Sequence, residues 1–394
     1  WKDRMDAGIR GSMVDFGDVV PDEAVFYDGR RGDEMHNAYA YQYAKNYREL
    51  FEQKYGDDHV LYTRGAAPGS QHFACQFGGD QLTSFQGLKY AIAGGLSAAA
   101  SGLPFWGVDA GGYDGFPDQE TYLRWTEYAA FCPLMRFHGT EPREPWEYDA
   151  FTVKVYRYYA WLRENLRPYI VSAAAEAHKL GIPMMRPLAM MYPEDQEATK
   201  VWDEYLFGED LLVAPVSDET EERKIYFPEG RWISLWNLND EISGPVQRSV
   251  EVPIDKIPVY IREGSFLPLR LNENLKLGES MSESETEMIL AVMPQNDSIV
   301  KETLYERSGA KTCCSVEKNG ETIQLQISGR TAELYVMLAG IHWKNTEAIV
   351  NGRTLTKVTA REGLYFTEGY LELEEGILVK INPSAESVIK IQKK

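Results

Sequence analysis

The sequence is poor in the residues that build disulfide frameworks and metal centres. Its 394 residues include only four cysteines: Cys75, Cys132, Cys313 and Cys314. Two stand alone in apolar surroundings and two are adjacent, a pattern unlike a disulfide framework or a zinc site. We therefore expect a reducing compartment and predict a cytoplasmic location. The six histidines show no ligand spacing, which disfavours a metal-dependent hydrolase, and we expect neither a metal nor another cofactor.

Positive charge and long apolar runs are also scarce. Lysine and arginine number 41 against 60 aspartates and glutamates, which gives a net charge of −19. This balance argues against nucleic acid and anionic membranes as partners, and it says little about an uncharged small substrate. The longest apolar run, residues 90–100, is interrupted by two glycines and is far shorter than the roughly 20 residues of a membrane span. We expect no membrane segment. The sequence does not decide whether the protein forms a homo-oligomer.

Residues 1–182 alternate short β-type runs with amphipathic helical stretches. The pattern predicts strands at residues 9–16, 60–64, 73–77, 103–108 and 134–137, and helices at 34–55, 84–101, 120–131 and 151–180. Such alternation is typical of a parallel sheet with helices packed outside it. We therefore predict an α/β fold for this segment.

Polar side chains fall at or just past the ends of these predicted strands. They are Asp15, Arg64, Asp80, Asp109 and His138. In a (β/α)₈ TIM barrel the carboxyl ends of the strands converge on one mouth, so this placement favours a barrel over a doubly wound sheet. Five strands do not close such a barrel. We interpret them as strands 4–8 and expect the earlier strands in a preceding, missing N-terminal part of the same catalytic unit.

Beyond residue 182 the helical periodicity ends. Short alternating strands punctuated by glycine and proline follow, which predicts two all-β sandwich domains at residues 183–271 and 272–394. In the second of these, Asn351-Gly352 is a two-residue hairpin signal.

The chemistry suggested by the barrel mouth is glycosidic bond cleavage. Asp15 and Asp80 each follow a β-type run and lie beside glycine. An oxocarbenium-like transition state needs one acid as proton donor and one carboxylate as nucleophile or base. Nearby aromatic residues suit a sugar face, although each could equally be ordinary core: Phe16, Phe77, Trp106, Tyr113 and Phe116.

Four ordered motifs make the sequence similar to glycoside hydrolase family 31, the retaining α-glycosidases. They are Met-Val-Asp15-Phe-Gly-Asp, Gly-Gly-Asp80, Gly107-Val-Asp109-Ala-Gly-Gly-Tyr113 and Met135-Arg-Phe-His138-Gly. The resemblance continues through residues 207–216, 227–232 and 257–264 and thins beyond about residue 270. It implies hydrolysis of an oligosaccharide or other α-glycoside.

The resemblance also implies a role for each matching residue. Asp15 stands at the nucleophile and Asp80 at the general acid/base, while Asp18 takes the place of a family glutamate. The positions that bind sugar hydroxyls are Arg64, Asp109 and His138. Phe77, Tyr113 and Trp106 complete the expected substrate-binding set, with Phe77 standing where the family has tryptophan.

The implied enzyme is a retaining, exo-acting α-glycoside hydrolase, with α-glucosidase as the leading substrate assignment. Asp15-Phe-Gly-Asp is closer to the Asp-Phe-Gly-Glu of α-xylosidases and sulfoquinovosidases than to the Asp-Met-Asn-Glu usual in α-glucosidases. Met13, where α-xylosidases have lysine, counts against xylose, whereas Tyr113 agrees with the sulfoquinovosidases. An α-transglycosylase differs only in its acceptor. A non-catalytic carbohydrate-binding protein is the alternative from another class, and loss of either acid would favour it.

Overall fold

The computed structural model describes residues 1–294, 298–330 and 332–394. Its first segment contains a five-stranded parallel sheet whose strands follow one another in chain order. The strands are β1 Gly11–Val14, β2 Val60–Thr63, β3 Cys75–Phe77, β4 Trp106–Asp109 and β5 Leu134–Arg136. This sheet confirms the α/β prediction and has the form of half a barrel. Its assignment to strands 4–8 stays a prediction.

One short helix precedes this sheet, and longer helices follow β1, β3, β4 and β5. They are α1 Lys2–Asp6, α2 Gly32–Tyr55, α3 Phe85–Ala100, α4 Gln119–Ala130, α5 Ala150–Asn165 and α6 Arg167–Leu180. Side chains of Ser84, Asp118 and Asp149 accept hydrogen bonds from backbone N–H groups in the first turns of α3, α4 and α5. The prediction of one helix over 151–180 was wrong. The chain breaks at Leu166, because Pro168 lacks an N–H and is accommodated in the first turn of a new helix.

The next segment is one six-stranded antiparallel sheet, where we had expected two facing sheets. Its strands are β6 Met185–Pro187, β7 Tyr205–Phe207, β8 Leu211–Val213, β9 Glu222–Ser234, β10 Glu241–Glu251 and β11 Val259–Arg262, in the order β10-β9-β11-β8-β7-β6. A short helix, α7 Leu188–Met191, follows β6. The pairing of β9 with β10 shifts register between Gly244 and Val246. This irregularity lets β9 run on through Pro228, whereas the alternation in the sequence predicts two separate strands, at residues 224–227 and 232–235.

The last segment is a sandwich of a five-stranded and a six-stranded sheet. Its strands are β12 Phe266–Leu271, β13 Thr286–Val292, β14 Ser298–Tyr305, β15 Lys311–Asn319, β16 Thr322–Ser328, β17 Leu334–Ala339, β18 Thr346–Val350, β19 Arg353–Thr354, β20 Gly369–Glu372, β21 Gly376–Ile381 and β22 Glu386–Lys393. Buried residues of both sheets form one cluster between them. Strand β12, inside the range 183–271 assigned above to the proximal domain, pairs with β13 of this sandwich.

The predicted hairpin at Asn351-Gly352 is confirmed. Both residues have positive φ, 50° and 80°, and they join the antiparallel strands β18 and β19. None of the helices in the described ranges has the length and apolarity that a membrane crossing requires.

A buried ion pair lies within helix α4, and its arginine also bonds to the loop between β10 and β11. The guanidinium of Arg124 lies 3.1 Å from Glu127, and both side chains are 1% exposed. Arg124 also donates to the carbonyl oxygens of Val252, at 2.7 Å, and Pro253, at 3.1 Å. Removing one partner of such a pair leaves the other charge buried without compensation.

We predict that Glu127→Ala lowers the free energy of unfolding by about 3–5 kcal/mol, because Arg124 loses its carboxylate. Glu164→Ala is the matched control. Glu164 and Arg167 form an ion pair of the same spacing, but they are 47% and 43% exposed, so its loss should cost less than about 1 kcal/mol. Urea denaturation measures both variants. Equal losses of unfolding free energy in the two variants would show that burial does not determine how much the Arg124–Glu127 pair stabilises the protein.

Candidate active site

Three carboxylates surround one guanidinium at the carboxyl ends of β1, β2 and β3. Arg64 Nε lies 3.6 Å from Asp15 Oδ1 and 3.2 Å from Asp18 Oδ2, and Arg64 Nη1 lies 3.4 Å from Asp80 Oδ1. The Arg64 side chain is 17% exposed, whereas Asp15, Asp18 and Asp80 are 29%, 35% and 51% exposed. The sequence predicted Asp15, Arg64 and Asp80 to share a barrel mouth, and the structure brings these three together with Asp18.

Tight turns hold Asp15 and Arg64 in place. Asp15 Oδ1 accepts a hydrogen bond of 2.7 Å from the backbone N–H of Phe16, and the hydroxyl of Tyr43 donates to the Asp15 carbonyl at 2.8 Å. Gly79 has φ +75°, and a Cβ at this residue would lie 2.7 Å from Arg64 Cδ. Only glycine fits this close approach without displacing the arginine.

Asp109 lies beneath this cluster and is fully buried. Its carboxylate accepts a hydrogen bond from Arg136, and its backbone N–H donates to Gln81 Oε1 at 3.3 Å. Burial raises the pKa of Asp109, while the charges of Arg136 and His138 oppose that rise. A carboxylate held in the interior against its desolvation cost is typical of a functional site.

Arg136 connects the acidic and aromatic residues of the mouth. Its guanidinium lies 4.8 Å from the ring centroids of both Tyr62 and Phe77 and also contacts Met13 Sδ. We had not assigned Arg136 a role, although it is the last residue of β5 and therefore obeys the rule that selected Asp109. Tyr43 and Gln81 were also missed, because a tyrosine on a helix and a glutamine in a loop carry no comparable sequence signal.

The remaining predicted residues lie in two groups. The rings of Tyr113 and His138 are neighbours, with centroids 5.4 Å apart. Phe77 and Trp106 are largely buried, 2% and 8% exposed, and contribute to a cleft of about 310 Å³ that also reaches Asp18 and Arg64. A Cβ on Gly95 would lie 2.7 Å from Trp106 Nε1, so the indole N–H faces helix α3. Trp106 can therefore offer the cleft only the far edge of its ring.

Chemically, the mouth combines accessible carboxylates with the guanidinium groups of Arg64 and Arg136 and with aromatic side chains. Within the described residues, no group of three or more His, Cys, Asp or Glu side chains is arranged to hold a metal ion. Two carboxylates on one mouth can divide the work of nucleophile and proton donor. The fold and the site together define a barrel-type protein equipped for chemistry on a glycosidic bond, followed by β domains.

Comparison with known families places the chain within this class. The model of the glycosyl hydrolases family 31 TIM-barrel domain matches residues 1–173, and that of the family 31 C-terminal domain matches residues 181–267. The chain belongs to glycoside hydrolase family 31.

Three similar proteins cover most of the chain. An isomaltosyltransferase from Sporosarcina globispora is 32% identical across 96% of the chain and 36% of its own length. An α-xylosidase from Emericella nidulans is 30% identical across 90% of the chain and 46% of its own length. The structure of the cycloalternan-forming enzyme from Listeria monocytogenes with a pentasaccharide substrate has a TM-score of 0.91 and 27% identity, covering 98% of this chain and 38% of that one. The chain thus spans less than half the length of these relatives.

The burial of Asp109 generates a prediction for Arg136→Met. Removing the cation raises the pKa of Asp109 further and leaves its charge unpaired at neutral pH, at a cost of about 3–5 kcal/mol in unfolding free energy. A raised carboxyl pKa gives stability that is present below the unfolded-state value and lost as pH rises through the folded-state value. The variant should therefore be much less impaired at pH 4.5 than at pH 7.5, as measured by urea denaturation.

The matched control for this prediction is Arg10→Met. Arg10 also pairs with an aspartate, Asp58, and also lies over a tyrosine ring, that of Tyr55 at 5.4 Å, but the ion pair is 60% and 73% exposed. Its loss should cost less than about 1 kcal/mol at either pH. If Arg136→Met lost as much stability at pH 4.5 as at pH 7.5, the coupling to Asp109 would be disproved.

Proposed function

We propose that this chain carries the catalytic residues of a retaining, exo-acting α-glycoside hydrolase that works by double displacement. Asp15 is the nucleophile and Asp80 is the general acid/base. The observation that carries the proposal is that both carboxylates lie against the same guanidinium, 3.6 Å and 3.4 Å from nitrogens of Arg64. Such proximity suits direct attack by one carboxylate, for which retaining enzymes keep the pair about 5–5.5 Å apart.

In the first step, Asp15 attacks the anomeric carbon and the bond to the leaving oxygen breaks. Asp80 gives its proton to that oxygen, which leaves as an alcohol. In the second step, Asp80 takes a proton from water, and the resulting nucleophile breaks the ester between the sugar and Asp15. The negative charge is on Asp15 before the first step and on Asp80 after it, and Arg64 lies close enough to stabilise both.

The sugar-binding roles rest on the residues around this pair. Asp109 and His138 would hydrogen-bond hydroxyls of the sugar in the cleaved-bond subsite, with Arg64 and Asp18 beside them. Tyr113 would pack against the sugar. Phe77 and Trp106, which are largely buried, would form one edge of the cleft that holds it. Orienting a neutral ring with several charged groups lowers the barrier through positioning and transition-state stabilisation.

An α-glucoside is the substrate that we favour. Met13 contacts Arg136, so an apolar thioether fills the position where α-xylosidases have lysine. α-Xylosidase and sulfoquinovosidase activities are the remaining hydrolytic alternatives. A non-catalytic carbohydrate-binding role is disfavoured because both acids are present at the mouth. The four free cysteines support the cytoplasmic location that forms part of this proposal, since they suit a reducing compartment.

Transglycosylation is the second candidate function, and one observation favours it. The isomaltosyltransferase and the cycloalternan-forming enzyme match 96% and 98% of the chain, including its distal sandwich. In that case a sugar hydroxyl replaces water in the second step. With a 4-nitrophenyl α-glucoside as both donor and acceptor, release of 4-nitrophenol in excess of free glucose would reveal transfer.

We predict different defects for the two catalytic acids in the full-length protein. Asp15→Asn should abolish turnover of 4-nitrophenyl α-glucoside and maltose alike, because no other group forms the ester. Asp80→Ala should lose maltose turnover but still release 4-nitrophenol, because a good leaving group needs little protonation. Added azide should then accelerate Asp80→Ala and yield an α-glucosyl azide. Steady-state kinetics and proton NMR of the product measure these outcomes.

Asp57→Asn provides the control, since Asp57 is a highly exposed aspartate paired with Arg48 and should leave all rates unchanged. The first-formed sugar of the wild-type reaction should be the α-anomer. An initial β-anomer in the NMR spectrum, or azide rescue of Asp15→Asn instead of Asp80→Ala, would reverse or remove the assigned roles.

A further inference from the structure

A second cleft lies on the six-stranded antiparallel sheet and shares no lining residue with the catalytic cleft. It has a volume of about 1100 Å³ and is bounded by residues 191–204 on one side and by strands β9 and β10 on the other. We call it the proximal cleft. Ligand sites in proteins typically occupy about 300–1,000 Å³, so it is large enough for an extended ligand.

One aromatic side chain is presented at the edge of the proximal cleft. Trp202 is 50% exposed, and the residues on either side of it are anchored. The backbone N–H of Val201 donates to the carbonyl of Ala198 at 3.2 Å, and Asp203 Oδ2 lies 2.8 Å from Arg223 Nη2. The backbone on either side of Trp202 is therefore held in place, and about half of the tryptophan stays open to a ligand in the proximal cleft.

The floor of the proximal cleft is rigid and polar. The hydroxyl of Tyr226 donates to Asp195 Oδ2 at 2.5 Å, and Asp195 Oδ1 accepts from the backbone N–H groups of Glu197 and Ala198 at 3.0 and 3.1 Å. The loop and the sheet are thus tied together before any ligand binds. Such preorganisation reduces the entropic cost of binding.

The charges of the proximal cleft identify the kind of ligand. Its lining includes six acidic and three basic residues. Two of the basic residues are already paired, Lys200 with Glu197 at 2.6 Å and Arg223 with Asp203. This excess of negative charge opposes phosphates, nucleic acids and other anions. Exposed Gln196 and Gln247 add amides that both donate and accept hydrogen bonds, as sugar hydroxyls require.

We propose that the proximal cleft is a non-catalytic binding site for a neutral α-glucan chain, with Trp202 stacking on a sugar ring. The choice of an α-glucan among neutral sugars rests on the proposed function. The site would hold a polymeric or oligomeric substrate on the enzyme while its end is processed elsewhere, and this raises the local concentration of chain ends. Small substrates that cannot reach both sites would gain nothing from it.

Affinity electrophoresis in gels containing dextran tests the proposal, using the full-length protein with Asp15→Asn so that the ligand is not consumed. Excess glucose in the gel competes for the catalytic cleft. Adding Trp202→Ala should weaken retardation by dextran at least about tenfold, because tryptophans in preformed sites carry much of the binding energy. Trp202→Phe, which keeps an aromatic face, should retain most of it. Phe366→Ala is the matched control, since Phe366 is an exposed aromatic residue of the distal sandwich.

In the active protein, Trp202→Ala should lower kcat/KM for dextran while leaving that for 4-nitrophenyl α-glucoside within about twofold. Equal retardation of the Trp202→Ala and Phe366→Ala proteins would overturn the proposal. So would retardation by polygalacturonate as strong as that by dextran, because binding would then not select a neutral chain. An equal loss of kcat/KM on 4-nitrophenyl α-glucoside would also overturn it, because Trp202 would then support the structure of the catalytic site. If no α-glucoside is turned over but Trp202-dependent retardation persists, the proposed function fails and this inference stands.

Discussion

The guanidinium of Arg64 lies between Asp15, Asp18 and Asp80, and the arrangement of the mouth depends on it. Three carboxylates on adjacent strand ends repel one another, and a partly buried cation among them offsets much of that repulsion. The positive-φ turn at Gly79 and the contact of Gly79 with Arg64 set the position of this cation. The loop after β3 thus supplies Asp80 and also positions the cation that pairs with Asp15 and Asp18 from the loop after β1.

A second ion pair, deeper in the mouth, shows the cost of such an arrangement. Asp109 is fully buried with a raised pKa, and Arg136 compensates its charge incompletely. Natural proteins retain unfavourable burial of this kind where function requires a charge in a low-dielectric place. The Arg124–Glu127 pair is also buried, but it lies within helix α4, and its arginine bonds to a loop of the following sheet instead of to residues at the strand ends.

Much of the mouth could be predicted because parallel strands impose their own rule. Side chains that follow successive strand ends must meet at one edge, so Asp15, Arg64 and Asp80 could be brought together from sequence spacing. Orientation could not be predicted in the same way. Trp106 was expected to face a sugar, but its N–H faces Gly95 of helix α3, and this depends on neighbours contributed by another element. The break at Leu166 and the course of β9 through Pro228 likewise depend on tertiary context that overrides local periodicity.

The β segments are more than an appendage to the barrel. One hydrophobic core extends from helices α3 to α6 into the antiparallel sheet and the distal sandwich, so the three segments support one another. The proximal cleft lies on the middle segment. A chain-binding site there would explain why the sheet carries a half-exposed tryptophan on a well-anchored loop.

The central claim is that Asp15 forms a covalent bond to the sugar. Incubation of the full-length protein with 5-fluoro-α-glucosyl fluoride tests it directly, because the second fluorine slows both steps and fluoride is a leaving group that needs little proton donation. Fluoride should depart as the carboxylate of Asp15 bonds to the anomeric carbon, and mass spectrometry of a peptic digest should find the added sugar on the peptide that contains Asp15. A label on Asp80 or on another residue, or inactivation without any covalent adduct, would contradict the account.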